Sequence, residues 1–194
     1  MTETLDRSAQ TDAPILEVLT KRWSTRVFDP TAPIDEVALT SALEAARWAP
    51  SASNTQPWRA VVARRGTPTH QAVVDSLVGF NAGWAPAASA LVVFLTERET
   101  AEGTPLRWSI YDTGQAAAYF TIQAHADGLY THQMAGFDGS AIVAALGIDE
   151  RFQPLTVMAV GDLGDHTELD DQMRERETAP RTRRPVGDSI LVND

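Results

Sequence analysis

Apolar residues recur along this chain with two periods, and the changes between them mark its elements. From Pro14, the positions Ile15, Leu16, Val18 and Leu19 share one helical face, with Asp12 placed as the N-cap. Phe28-Asp29-Pro30 and Pro33 mark a loop. Leu39, Leu43 and Ala46 form the stripe of a second helix, which stops before Pro50. Residues 58–64 read as a strand and 68–78 as a short helix. The unbroken apolar run 90–95 predicts a buried strand. The longest helical pattern covers 109–126, with Ile110, Thr113, Ala117, Phe120 and Ala124 in phase. Its small residues Gly114, Ala116, Ala117 and Ala118 allow another helix to approach, and Gly128 ends it. A strand over 129–134, a helix over 139–146 and a strand over 155–160, closed by Gly161-Asp162, complete the pattern.

This order predicts one layered α/β domain over residues 13–194. A clean βαβ alternation is missing at the start, which argues against a doubly wound sheet. Residues 1–12 read as a flexible leader, and the charged, poorly periodic stretch 165–184 as an extended surface arm.

Composition narrows the function. A formal charge of −10 argues against sequence-independent binding to nucleic acid or to an anionic membrane. The absence of cysteine removes disulfides, zinc thiolates and thiol nucleophiles. The N-terminus lacks a signal-peptide pattern, and no apolar run approaches the ~20 residues of a membrane span, so a cytoplasmic location is expected. No dinucleotide-binding glycine fingerprint, P-loop or nucleophile elbow occurs. His70, His125, His132 and His166 lack helical i, i+4 partners, so they read as solvated or core residues and no metal site is expected. Glu168, Asp170, Asp171, Glu175 and Glu177, interleaved with Arg174 and Arg176, read as a solvated face.

Candidate chemistry lies in three segments. Lys21-Arg22-Trp23-Ser24-Thr25-Arg26 follows the first helix, and in an extended chain Arg22, Ser24 and Arg26 point to one side. Two guanidiniums and a hydroxyl could then converge on a phosphate; a surface patch favoured by the helix C-terminus is the alternative. The block 50–58, Pro-Ser-Ala-Ser-Asn-Thr-Gln-Pro-Trp, offers short polar side chains and backbone N–H groups that could hold a planar heterocycle. Arg181-Thr182-Arg183-Arg184-Pro185 gathers a second set of cations.

Together with Gly128-Leu129 and Met134-Ala135-Gly136-Phe137-Asp138, these segments stand in an order that resembles the nitroreductase family of FMN-dependent oxidoreductases, from about Ile15 to the arginine-rich tail. The resemblance implies an α+β fold: a three-layer α/β sandwich whose central sheet is mixed but mainly antiparallel, in an intertwined homodimer with two flavin sites at its interface. It implies that Arg22, Arg181 and Arg183 hold the FMN phosphate with help from Ser24, and that Arg26 lies near the flavin ring. Pro50, Ser51, Ser53, Asn54 and Gln56 would reach the flavin from the partner subunit. Asn81 would contact the ring or ribityl chain, and the backbone around Met134, Ala135 and Gly136 would approach N5. No protein nucleophile is implied; NAD(P)H would reduce the flavin, which would reduce a nitroaromatic, quinone or similar acceptor by a ping-pong route.

The chain departs from one branch of that family at Trp84, which stands where a lysine is found, leaving Arg26 to carry more of the charge compensation. The stretch between 95 and 109 is also short, suggesting a small lid with Leu106 and Trp108; Trp84 and Trp108 could equally be core residues. Alternatives are a same-fold reductase of a semialdehyde or activated C=C bond, a flavin-binding protein without turnover, and a flavin-free interaction module.

Overall fold

A computed structural model describes residues 6–167 and 169–192. Its elements run α1 Glu17–Lys21, α2 Glu36–Arg47, β1 Trp58–Arg64, α3 Pro68–Ser76, α4 Asn81–Trp84, β2 Ala90–Glu97, α5 Ser109–Ala126, β3 Tyr130–Met134, α6 Gly139–Leu146, β4 Phe152–Gly161 and α7 Asp171–Thr178. Asp35 and Asp138 cap α2 and α6 by accepting from backbone N–H groups two or three residues on. Gly147, at φ +62°, closes α6 in the left-handed conformation.

The four strands pair in the order β1-β2-β4-β3, and every pairing among these described strands is antiparallel. Alternation of side chains across β2 and β4 makes two cores. Val92, Phe94, Met158 and Val160 face α2 and α5, where Ala38, Ala42, Ala46, Ala116 and Ala117 bring the two helices close. Leu91, Val93, Leu95, Val157 and Ala159 face the opposite way, onto Val73 of α3 and Ile142 of α6. The result is the expected three-layer α+β sandwich, with all of β2 buried at its centre.

Several sequence expectations change. Among the described residues no helix forms before Glu17, and Leu16, not Asp12, sits at the N-cap without a side-chain cap bond. Ile15 and Leu16 are exposed, while Val18 and Leu19 are half-buried, so only the later part of that apolar face packs and the helix starts there. The 68–78 helix ends at Ser76, β3 begins at Tyr130, and β4 begins earlier, at Phe152. The region 165–184 is not wholly extended: it contains α7, capped by Asp170. Glu177 is not solvated either, retaining only 1% exposure.

The segment after α1 is fixed by a short pairing with the end of β4. Phe28 bridges Leu163, the Asp29 amide donates to Asp162, and the Gly164 amide donates to Val27, both at 3.0 Å. A methyl group on Gly164 would sit 2.7 Å from the Phe28 carbonyl carbon and oxygen, so only glycine permits this approach. Residues of the leader also dock: the Ala9 amide donates to Thr20 O at 2.9 Å, and Arg7 bonds the Ala179 carbonyl.

Candidate functional site

Arg22 leaves α1 in an extended conformation, and its guanidinium donates to Ser24 Oγ at 3.2 Å. Both line a cavity of about 340 Å³ whose other walls are Leu19 of α1, Ala118, Thr121 and Ile122 of α5, and Thr131 and Gln133 of β3; Arg181 and Arg183 do not line it. Arg22 Nε is buried and has no partner. Burial, then the neighbouring charges of Arg181 and Arg183, push the Arg22 guanidinium below its usual pKa. Arg181 is anchored by donating to the Thr20 carbonyl at 2.7 Å and to that of Arg7. Burial, then Arg183 and Arg7, lower its pKa too. Among the described residues no carboxylate comes within salt-bridge distance of Arg22, Arg181 or Arg183. Three cations that repel one another, one with an unpartnered buried donor, make a site prepared for an anion.

From this pocket β3 leads to a second feature. Thr131 to Gly136 is five residue steps, about 16 Å at ~3.3 Å per extended residue. Met134 is buried, Ala135 is exposed, and the Gly136 carbonyl accepts from Asn81 Nδ2 at 3.2 Å and from the Val78 amide at 3.1 Å. A Cβ on Gly136 would lie 2.7 Å from Asn81 Nδ2. Asn81 and Gly136, far apart in sequence, are therefore in contact as a pair, and the backbone around them is bare enough for a flat group to approach.

Arg26 departs from the expected convergence. Its guanidinium lies 3.6 Å from Glu177 Oε1 and it does not line the cavity with Arg22 and Ser24. Sequence reasoning missed Glu177 because its helix is polar nearly throughout. The one available signal was Met173, four residues earlier on the same face, which packs on the core.

The loop 50–56 is exposed and strained. Ser53, Asn54 and Gln56 have φ of 52°, 56° and 48°, where a non-glycine residue costs roughly 1–3 kcal/mol. Asp112 of α5 holds the loop by accepting from the Ala52 amide at 3.1 Å, and Ser51 Oγ accepts from the Gln56 amide at 3.0 Å. Pro50 accepts from Gln115. The loop thus sits over the N-terminal half of α5, the arginine pocket over the C-terminal half, and no loop residue lines the pocket.

Trp84 resolves as a core residue: it is 4% exposed, stacked on Phe28 with centroids 6.2 Å apart and tilted against His132 at 4.6 Å. Trp108 is on the surface, and residues 98–106 form a tight turn closed by Leu106 donating to Arg98 O at 2.7 Å. A shallower cavity of about 990 Å³ between α6 and β4 contains none of the candidate residues and no convergence of like charge. Among the described residues no group of His, Asp or Glu could hold a metal, and no helix is long and apolar enough to cross a membrane.

Comparison with known proteins follows the same outline. Residues 19–69 and 65–162 match the family model described as the nitroreductase family. The 15.4 kDa protein in the ask 5′ region of Mycolicibacterium smegmatis is 37% identical over 132 residues, covering 64% of this chain and 88% of that protein. YdgI of Bacillus subtilis (strain 168), provisionally named an NAD(P)H nitroreductase, is 24% identical over 187 residues, covering 77% of this chain and 88% of its own. A crystal structure described as an oxidoreductase containing FMN superposes with a TM-score of 0.87 at 35% identity, over 98% of this chain and 96% of the other.

Proposed function

Because this chain belongs to the nitroreductase family, we propose that it is an FMN-dependent oxidoreductase driven by NAD(P)H. The observation that carries this reading is the buried, unpartnered Nε of Arg22 beside Arg181 and Arg183, at one end of a path along β3 that ends at the Asn81–Gly136 pair. A phosphate fits the first end, and a flat heterocycle fits the bare backbone of the second. FMN, when bound, would supply the chemistry, accepting a hydride from NAD(P)H and passing it to an oxidised acceptor such as a nitroaromatic or quinone in a ping-pong cycle.

Within that cycle the protein binds and orients. Arg22, Arg181 and Arg183 hold the phosphate, with Ser24 Oγ fixing the Arg22 guanidinium. Asn81 positions the ring against the backbone of Met134, Ala135 and Gly136. Arg26 stays near the ring, its charge largely balanced by Glu177. Hydride transfer would form no covalent bond between a side chain and substrate, so no protein nucleophile is required.

The site is completed by a second copy. Ile110, Tyr111, Gly114, Ala118 and Tyr119 leave an exposed stripe of apolar and small residues along α5. Two such helices packed antiparallel about a twofold axis set each loop 50–56 beside the other chain's arginine pocket, because loop and pocket occupy opposite halves of the same helix. Pro50, Ser51, Ser53, Asn54 and Gln56 then contact the flavin across the interface, which accounts for a strained, exposed loop that serves nothing within one chain. The tight turn over 98–106 leaves the acceptor side open, which favours a semialdehyde or an activated C=C bond as the second class of acceptor.

Steady-state NAD(P)H oxidation with added quinone or nitroaromatic tests the reading. Parallel double-reciprocal lines are expected. No turnover with any acceptor, in protein that retains flavin, would leave a flavin-binding protein instead of an enzyme.

A further inference from the structure

We propose that Glu177 is the positioning residue of the anion pocket: its carboxylate ties the segment bearing Arg22 and Ser24 to the segment bearing Arg181 and Arg183, so that both halves meet one phosphate. The inference rests on reading that pocket as the FMN phosphate site.

The geometry follows from strand-like alternation. Arg22 and Ser24 face the cavity, while Trp23 and Thr25, between and beside them, turn inward. The inward pair meets Glu177. Thr25 Oγ1 donates to Oε2 at 3.0 Å, Trp23 Nε1 approaches the same oxygen at 3.4 Å, and the Arg26 amide donates to Oε1 at 2.9 Å. The Arg26 guanidinium at 3.6 Å and His166 Nε2 at 3.5 Å complete the surroundings. Every outward residue of the pocket segment thus has an inward neighbour held by one carboxylate.

On the other side, Glu177 sits in the last turn of α7, four residues before Arg181 and six before Arg183. The Ala179 amide closes the helix on Glu175, and the chain then runs to Arg181, whose guanidinium is pinned on Thr20. A buried carboxylate is costly unless fully partnered, and its five partners here lie on the pocket segment and on the 162–166 strand exit. The Arg181 guanidinium on Thr20 O links the two cationic segments directly, and Glu177 adds bonds from the consecutive residues Thr25 and Arg26.

The sign of the effect separates positioning from simple charge balance. Removing a negative charge beside a phosphate site strengthens anion binding through space; losing the alignment of the arginines weakens it. Glu177→Gln keeps the shape and neutralises the charge, whereas Glu177→Ala opens a buried hole and mixes folding with positioning. The test measures dissociation constants for FMN and for riboflavin, which lacks the phosphate, by flavin fluorescence quenching, with urea midpoints of the apo-proteins alongside. Glu177→Gln is expected to weaken FMN about tenfold, equivalent to about 1.4 kcal/mol, and riboflavin less than threefold. Unchanged or tighter FMN binding overturns the proposal, and so does an equal loss for both ligands, which marks a general folding effect. Wild-type protein that binds FMN no better than riboflavin instead overturns the phosphate reading itself.

Discussion

Arg22→Met separates the stability of the pocket from its function, because the two should move in opposite directions. Without an anion, Arg22 is a desolvated cation crowded by Arg181 and Arg183, with a buried Nε that donates to nothing. A buried unsatisfied donor costs about 1–3 kcal/mol, and the bond lost to Ser24 is worth about 0.5–1.5 kcal/mol. Methionine keeps an unbranched side chain of similar reach and removes both terms, leaving a net gain of about 1 kcal/mol for the apo-protein. In a chain of this size that raises the melting temperature by about 2–4 °C. With FMN the balance reverses: losing one charge-assisted hydrogen bond of about 1.5–3 kcal/mol weakens binding roughly 10- to 150-fold. Differential scanning calorimetry of the apo-proteins and fluorescence titration with FMN give the two numbers. A variant that binds FMN within threefold of wild type, or whose apo-form melts several degrees lower, refutes the reasoning.

Gly136→Ala should displace the far end of the Asn81 side chain, since the new Cβ would lie 2.7 Å from Nδ2; flavin affinity and absorption envelope should change while the unfolding free energy from urea melts shifts by less than about 1 kcal/mol. Gly164→Ala meets backbone of Phe28 at 2.7 Å, so it should destabilise by about 2–4 kcal/mol in urea, and a near-neutral result would contradict the 27–29 pairing with β4. Gly114→Arg, on an open face where a Cβ meets nothing within 4 Å, should leave the monomer folded but abolish dimers in sedimentation and release flavin. On acidification stability should fall in two stages. Burial first, against a bond to Thr25 O, lowers the pKa of His132; burial raises that of Glu177, but the nearby His166 ring and the bonds from the Arg26 amide, Thr25 and Trp23 lower it further. Both folded pKa values lie below their unfolded values of about 6.5 and 4.3, so each contribution is present above that value and lost as pH falls through the folded one. Glu177→Gln should flatten only the lower stage in urea melts run from pH 8 to pH 3.

How far the sequence carried depended on whether a residue's partner was local. Trp58–Arg64 and Ser109–Ala126 appear with the expected bounds, because seven- and eighteen-residue patterns average out single-residue ambiguity. The α1 start failed because Ile15 and Leu16 have the right spacing but remain exposed among the described residues. The helix α7 failed because local propensity and the Asp170 cap form it, with almost no apolar stripe to detect; its single buried acid bonds residues some 150 positions away. Arg22, Ser24, Arg181 and Arg183 were legible as candidates by residue type; the structure puts Arg22 and Ser24 on one cavity and leaves Arg181 and Arg183 outside its lining, near enough to act on Arg22 by charge. Arg26 was legible as a cation but not as the partner of Glu177, since alternation placed its side chain with Arg22 while the ion pair draws it inward. The Asn81–Gly136 contact was not legible, since the residues stand fifty-five apart and family likeness named each only as a flavin neighbour.

The central claim is that this chain holds FMN and exchanges hydride through it. The most direct test is a visible spectrum of protein reconstituted with FMN and freed of excess ligand, recorded during anaerobic titration with NADH and then NADPH. The account predicts a yellow protein carrying one FMN per chain that bleaches with one equivalent of at least one nucleotide. A protein that emerges colourless would contradict the flavin site, and a yellow protein that neither nucleotide bleaches would contradict the proposed donor.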